Sequence, residues 1–240
     1  MPLHVDENGI LQPLELKWLR DNRFEIIPGA RRYTEEIPGR DGAIRFGTDM
    51  RVRVLTATVG MEVSEDVESN WHRAKVFDQI AAQLNPLDGE QALTFADEPE
   101  KVYVVELAEA ADIPREPGYI EFDLAFEMLN SDKTGSVLKS LTGSGTATNA
   151  GTKATPFTVT IQGPATDPSV TVAGYVMSYA GTIEVASVLV IDTEKLTAVL
   201  DGANALPDYN GVFPKLQPGD NSVTAAVSGT TTINWLDRWI

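Results

Sequence analysis

The sequence contains no cysteine, which removes disulfides, thiolate metal sites and a cysteine nucleophile at once. Histidine is nearly missing as well, His4 and His72 being the two present. A hydrolytic triad would have to bring one of them beside a serine and a carboxylate, and no G-x-S-x-G elbow offers such a serine. Gly143-Ser144-Gly145 comes nearest by eye but has no strand and helix pattern around it, and reads as a flexible connector. Neither a Walker loop nor a strand-linked G-x-G-x-x-G is found, so the common phosphate cradles are excluded. Nothing approaches the roughly 18 continuous apolar residues of a membrane span, and no membrane insertion is expected. The stretch Met1 to Gly9 has no basic start and no apolar run, so no signal peptide is expected and synthesis is placed in a cytoplasm. Cations are scarce: 19 Lys+Arg face 35 acids, for a formal charge of −16. Wrapping of nucleic acid depends on neutralising phosphates, and this balance argues against it. A wall built from such a chain would repel DNA.

What is present is ordinary core-forming material, 42% hydrophobic over 240 residues, enough for one large or two small domains. Residues 49–63, DMRVRVLTATVGMEV, alternate with a period of two. Arg51, Arg53, Leu55, Ala57 and Val59 share one face, and Gly60 is a possible bulge. Ser64-Glu65-Asp66 reads as a helix start. Val67, Trp71, Ala74, Phe77, Ala81 and Leu84 then recur at three- and four-residue steps, which predicts an amphipathic helix ended by Asn85-Pro86. Strand-like runs follow at 91–95, 101–107 and 118–129; in the last, Ile120, Phe122, Leu124 and Phe126 face one way.

Between 131 and 153 the composition shifts to Ser, Thr, Gly and Ala, which reads as a linker. The remainder shows no convincing amphipathic helix. Short strands are expected at 157–161, 170–179, 182–191, 196–200, 222–227 and 231–233, with turn residues between them, as in a β-sandwich or jelly roll. The expected plan is a β domain with one helix at 1–133, a linker at 134–152 and an all-β domain at 153–240.

Signals for chemistry are weak. His4 sits in a terminus expected to be mobile, and a lone helical histidine such as His72 is more often packing or surface than ligand. Asp6-Glu7-Asn8-Gly9 is only a fragment of a calcium loop. Glu35-Glu36, Glu65-Asp66 and Glu98/Glu100 could serve glycoside hydrolysis, but close acidic pairs arise by chance among 35 acids. Trp18, Trp71, Trp235 and Trp239 could stack on sugars, though burial is the commoner fate of tryptophan. No catalytic residue, cofactor or metal is expected.

One loop stands out. Pro38, Gly39, Arg40, Asp41 and Gly42 join two strand-like runs, 32–36 and 43–46. Pro38 fixes φ while Gly39 and Gly42 permit positive φ, so the turn should be stiff. Arg40 and Asp41 at its tip could pair with each other or with a neighbouring subunit. An ordinary Pro-Gly hairpin is the plainer alternative.

The run EEIPGRDGAIRFG, Glu35 to Gly47, followed by a long strand and a Trp-containing helix, resembles the N-terminal domain of siphophage distal tail proteins. Leu93-Thr94-Phe95-Ala96-Asp97-Glu98-Pro99 with Val102-Tyr103 is similar to a later segment of that domain. In the second half, Asn149-Ala150-Gly151-Thr152, Val190-Ile191-Asp192, Leu216 to Asn221 and the terminal Trp235 to Ile240 resemble the family's C-terminal domain. The resemblance spans nearly the whole chain and rests on the order of the motifs. It implies a mainly β fold: a tail-tube-like N-terminal β-barrel or sandwich with one α-helix, plus a galectin-like C-terminal β-sandwich. It also implies a homo-hexameric ring in the virion at the tail tip, with Pro38, Gly39, Arg40, Asp41 and Gly42 as ring-interface candidates. Tail-tube protein, tail-tip hub and a receptor-binding protein are the implied partners, and DNA would pass through the ring without specific binding. A carbohydrate-binding module, a tail-tube subunit and a glycoside hydrolase remain as rivals at this point.

Overall fold

Alternating apolar residues on pleated strands build most of this protein. The computed structural model describes residues 3–8, 10–12, 14, 16–19, 23–63, 77–109, 112 and 118–240. They fall into two units, Met1–Lys133 with Ile240, and Thr134–Trp239.

In the first unit the strands are β1 (Leu3–Val5), β2 (Ile10–Gln12), β3 (Leu16–Trp18), β4 (Arg23–Phe24), β5 (Ala30–Glu36), β6 (Ala43–Met50), β7 (Arg53–Val63), β8 (Gln91–Phe95), β9 (Lys101–Leu107) and β10 (Gly118–Met128). β7 and β10 form a continuous antiparallel ladder from Val63↔Gly118 to Arg53↔Met128. The sheet runs β10-β7-β3-β2-β1-β8-β9, with β1 and β8 parallel, and closes when β9 returns to β10. The return is made at Leu107↔Phe126 and Glu106↔Glu127, and it curls the sheet into a barrel-like unit. Leu55, Ala57 and Val59 from β7 meet Phe122, Leu124 and Phe126 from β10 in its core. Each buried Leu or Phe contributes about 1.5–3 kcal/mol over leaving it in water.

Several expectations shift here. The strand expected at 49–63 is two: Asp49 and Met50 end β6, and the Arg51 backbone N–H turns aside to donate to Gly29 O at 2.8 Å. Gly60 is no bulge but sits in register opposite Glu121. It is glycine because the Tyr119 ring lies over it; an added Cβ would fall 2.2 Å from Tyr119 Oη. His4 belongs to β1 rather than to a mobile end, since β1 is paired on both sides and buries Leu3 and Val5. Asp6 accepts the backbone N–H groups of Asn8 and Ile10 and so shapes the turn between β1 and β2.

Residues 77–83 are helical. Phe77 and Leu84 pack on the core as expected, while Ala81 is exposed and Ile80 takes its place on the buried face. Asn85 accepts from the Leu87 N–H and Pro86 opens a single 3-10 turn, Pro86–Asp88, which ends the helix. The expected cap at Ser64-Glu65-Asp66, the face residues Val67, Trp71 and Ala74, and His72 lie outside the described residues.

β11 (Lys133–Gly135) leads into the second unit, with β12 (Lys139–Thr142), β13 (Gly145–Asn149), β14 (Phe157–Gln162), β15 (Ala165–Thr166), β16 (Ser169–Val172), β17 (Tyr175–Tyr179), β18 (Thr182–Ile183), β19 (Val188–Asp192), β20 (Thr197–Leu200), β21 (Ala203–Asn204), β22 (Tyr209–Gly211), β23 (Gly219–Ala226), β24 (Thr230–Trp235) and β25 (Arg238–Trp239). One sheet is ordered β12-β24-β14-β19-β20-β21 and the other β13-β23-β16-β17-β22. Val159, Ile191 and Ile233 from the first pack with Val170, Met177 and Val223 from the second in one core, which makes a β-sandwich.

The stretch expected as a linker, 134–152, is therefore part of this sandwich. β12 and β13 supply an outer strand to each sheet, and Gly143, at φ +75°, turns the chain between them. Its small residues misled the composition argument: Ala147 and Asn149 are fully buried. Asn149 donates to Lys153 O and Leu216 O and accepts from Gly151 N–H, so it fastens a loop and is not a solvated spacer. The single run expected at 170–179 is a hairpin, β16 and β17, folded at Ala173-Gly174.

Candidate functional site

The feature that sets the first unit apart is the ribbon formed by β5 and β6. These strands pair with each other and form a two-stranded sheet of their own, outside the barrel sheet. Their side chains are almost all exposed. The ladder runs from Ala30↔Met50 to Glu36↔Ala43, with a bulge opposite Tyr33/Thr34 that takes up Phe46. A bulge bends and twists the ribbon where it occurs.

The tip is built as its residues demand. Arg40 N–H donates to Ile37 O at 3.1 Å and Gly39 has φ +85°, the arrangement of a type II turn with Pro38 and Gly39 at its centre. Gly42, at φ +81°, completes the reversal. Thus the five interface candidates Pro38, Gly39, Arg40, Asp41 and Gly42 lie together at the far end of the ribbon, and all are exposed. Arg40 and Asp41 do not pair with each other among the described residues.

Sequence reading stopped at the tip and missed the shaft. Phe46 is 67% exposed and Tyr33 44%, while Ile26 at 86% and Ile27 at 67% stand just before the ribbon. Arg31 lies over the Tyr33 ring, 5.6 Å from its centroid, and the ring packs beside Gly47. Between Gly29 and Arg51 the chain carries five arginines and four acids, leaving 31 acids and 14 cations elsewhere. Among the described residues none of these arginines makes a salt bridge. The signal was there in the sequence, as a cluster of arginines inside an acidic chain.

A two-stranded ribbon alone in water is marginally stable at best, and this one exposes aromatic and aliphatic groups along both strands. Its physical character is that of a surface waiting for another surface.

Other clusters have structural partners. The Glu98 carboxylate accepts from Tyr103 Oη at 2.6 Å and Lys101 Nζ at 2.9 Å, with Lys133 Nζ at 3.5 Å. Burial opposes its ionisation, but those hydrogen bonds and the two lysine charges prevail and hold its pKa at about 2. Such a group is a fixed anion and is unsuited to donate a proton at neutral pH. Burial and the Glu98 hydrogen bond push the Tyr103 phenol up. Glu35 and Glu36 point to opposite faces of the ribbon, and Glu65 and Asp66 lie outside the described residues. Trp18 meets Phe95 edge-on, and Trp235 is buried in the sandwich core. In the second unit a cleft of about 350 Å³ is lined by residues including Thr158, Asp192, Asn234 and Arg238. Asp192 there accepts the backbone N–H groups of Glu194 and Lys195, and Glu194 is ion-paired with Arg238.

Comparison with known proteins agrees with this architecture. Residues 11–128 match the family model of the phage tail protein RIFT-related domain, and residues 150–239 that of the siphovirus-type tail component, C-terminal domain. No curated protein sequence matches the chain. Among solved structures, the SPP1 Dit protein, described as a paradigm of the hub adsorption apparatus in phages infecting Gram-positive hosts, superposes with a TM-score of 0.73 at 16% identity, covering 93% of this chain and 94% of that one. A chain of the phage P2 baseplate in its calcium-activated conformation gives 0.38 at 10% identity, covering 90% of each. With both tail-component domains in order and the Dit fold over nearly its full length, this chain belongs to the siphophage distal tail protein family.

Proposed function

We propose that this protein is a non-enzymatic structural subunit whose copies close into a hexameric ring in the phage tail tip. The ring joins the tail tube on one side to the tail-tip hub on the other and surrounds the channel through which DNA leaves. One observation carries this reading: the β5–β6 ribbon, a stiff-tipped, two-stranded arm left exposed among the described residues. An arm on one side of a subunit and its seat on another make a heterologous contact, and such contacts form rings when the rotation closes. Pro38, Gly39, Arg40, Asp41 and Gly42 at the tip reach furthest into the neighbour. The net charge of −16 suits a channel past which DNA slides without holding.

Size-exclusion chromatography with light scattering tests the reading. The expected mass is that of six 26.0-kDa chains, and negative-stain images down the axis should show a central hole. A monomer at micromolar concentration, or an open fibre, would refute it. Removing the second unit, Thr134–Trp239, should leave a ring, because the arm belongs to the first.

A further inference from the structure

The arm carries five arginines against four acids in a chain whose net charge is −16, and the barrel offers a surface of the opposite kind. On β10 the outward residues are Tyr119, Glu121, Asp123, Ala125 and Glu127, and the strand carries no cation. β9 adds Glu106 directly opposite Glu127. Like charges facing each other across a ladder repel, and among the described residues neither carboxylate has a cationic partner. Glu121 and Asp123, two residues apart on one face, are separated by about 7 Å. On the neighbouring β7, Arg53 stands opposite Met128 and is buried, so it faces away from this surface; Lys17 on β3 stands opposite Gly60, one strand further away.

The ribbon matches that pattern. Arg32 lies opposite Thr48 and Arg45 opposite Thr34. Positions 32 and 34 point to one side of β5, so Arg32 and Arg45 share a face as a diagonal pair, also about 7 Å apart. Ala30, Ala43 and the two threonines beside them are small; Glu36 is on the same side as positions 32 and 34, and among the described residues it makes no salt bridge with either arginine.

We infer that the Arg32–Arg45 face of the arm docks on the acidic outer face of β10 and β9 in the next copy of this chain, with Glu127 and Glu106, which face each other across the ladder, receiving the guanidinium groups. The inference rests on the ring reading and adds to it the identity of the seat. It also assigns the Glu106–Glu127 pair a purpose: two carboxylates that repel in the free subunit are neutralised in the assembled one. Arginine suits the task, since its planar fork can bond a carboxylate through two parallel N–H groups. Charge complementarity of this kind sets register and partner choice as much as affinity.

Reversal of charge on each side tests it in the full chain. Arg32→Glu with Arg45→Glu should raise the concentration at which the assembly half-dissociates at least tenfold, and Glu106→Lys with Glu127→Lys should do the same. A chain carrying all four changes again presents complementary surfaces to its own copies, and should recover the assembly. Because the protein has no cysteine, Arg45→Cys with Glu127→Cys should give covalent oligomers on oxidation, whereas Arg45→Cys with Lys215→Cys should stay monomeric on a denaturing gel. Should the reversed variants assemble like the parent, or the fourfold variant and the cross-link both fail while the parent forms rings, the seat is wrong and the ring stands. If the parent itself is solitary, the ring reading falls and this inference with it. Circular dichroism of each variant guards against loss of fold.

Discussion

The barrel and the arm are made from the same residue types on strands of similar length, yet one is closed and the other open. In β10 every second residue from Ile120 to Met128 is buried, while in β5 no residue is. The difference comes from what each strand faces. β7 and β10 have a helix and five further strands to complete an interior; β5 and β6, among the described residues, pair only with each other. Stability and assembly are thereby separated within a single unit: the barrel holds the fold, and the arm is spare surface held at its base by the Arg51–Gly29 hydrogen bond.

That separation can be broken from either side. The largest effect belongs to the barrel. Leu124→Ala, at a wholly buried site, should cost about 2–5 kcal/mol in chemical denaturation, and its failure to do so would mean that the barrel is not the stabilising element. Next comes the Glu98 network. Glu98→Gln removes charge-assisted bonds worth about 1.5–3 kcal/mol near neutrality. Because the folded pKa of about 2 lies below the unfolded value of 4.5, the stabilisation is complete above pH 4.5, declines as the pH falls and is gone below about 2. The variant's unfolding should accordingly be less sensitive to pH across that window, as an acid titration followed by fluorescence would record. Smallest in stability is Phe46→Ala on the arm, expected to change unfolding by no more than about 0.5 kcal/mol while weakening assembly measured by light scattering. A loss of stability as large as that of Leu124→Ala would show that the arm packs on its own barrel.

Legibility in the sequence followed the same divide. Buried faces announce themselves through period-two apolar residues: the sequence groups Leu55 with Val59 and Ile120 with Phe126, and the structure buries both groups. The tip was legible because Pro38, Gly39 and Gly42 have conformational reasons to be there. Where small polar residues do a core's work, composition misleads. Ala147 and Asn149 look like linker residues, but one packs between sheets and the other uses its amide to bond a loop. Gly60 was taken for a bulge because the tyrosine that requires it is 59 positions away in the chain. The seat for the arm was invisible for the same reason, since Glu106 and Glu127 become neighbours only when β9 closes on β10.

The second unit is stitched end to end. Its first strands, β12 and β13, find their partners in β24 and β23, with Lys139 beside Trp235 and Gly145 beside Val223. During synthesis neither opening strand has its sheet partner until β23 and β24 have left the ribosome. The barrel's strands are all made long before that. A nascent chain would therefore carry strands β1 to β10 and the arm while the sandwich is still unspooled, and loss of β24 would take the partner from β12 and β14 together and split its sheet rather than fray one edge.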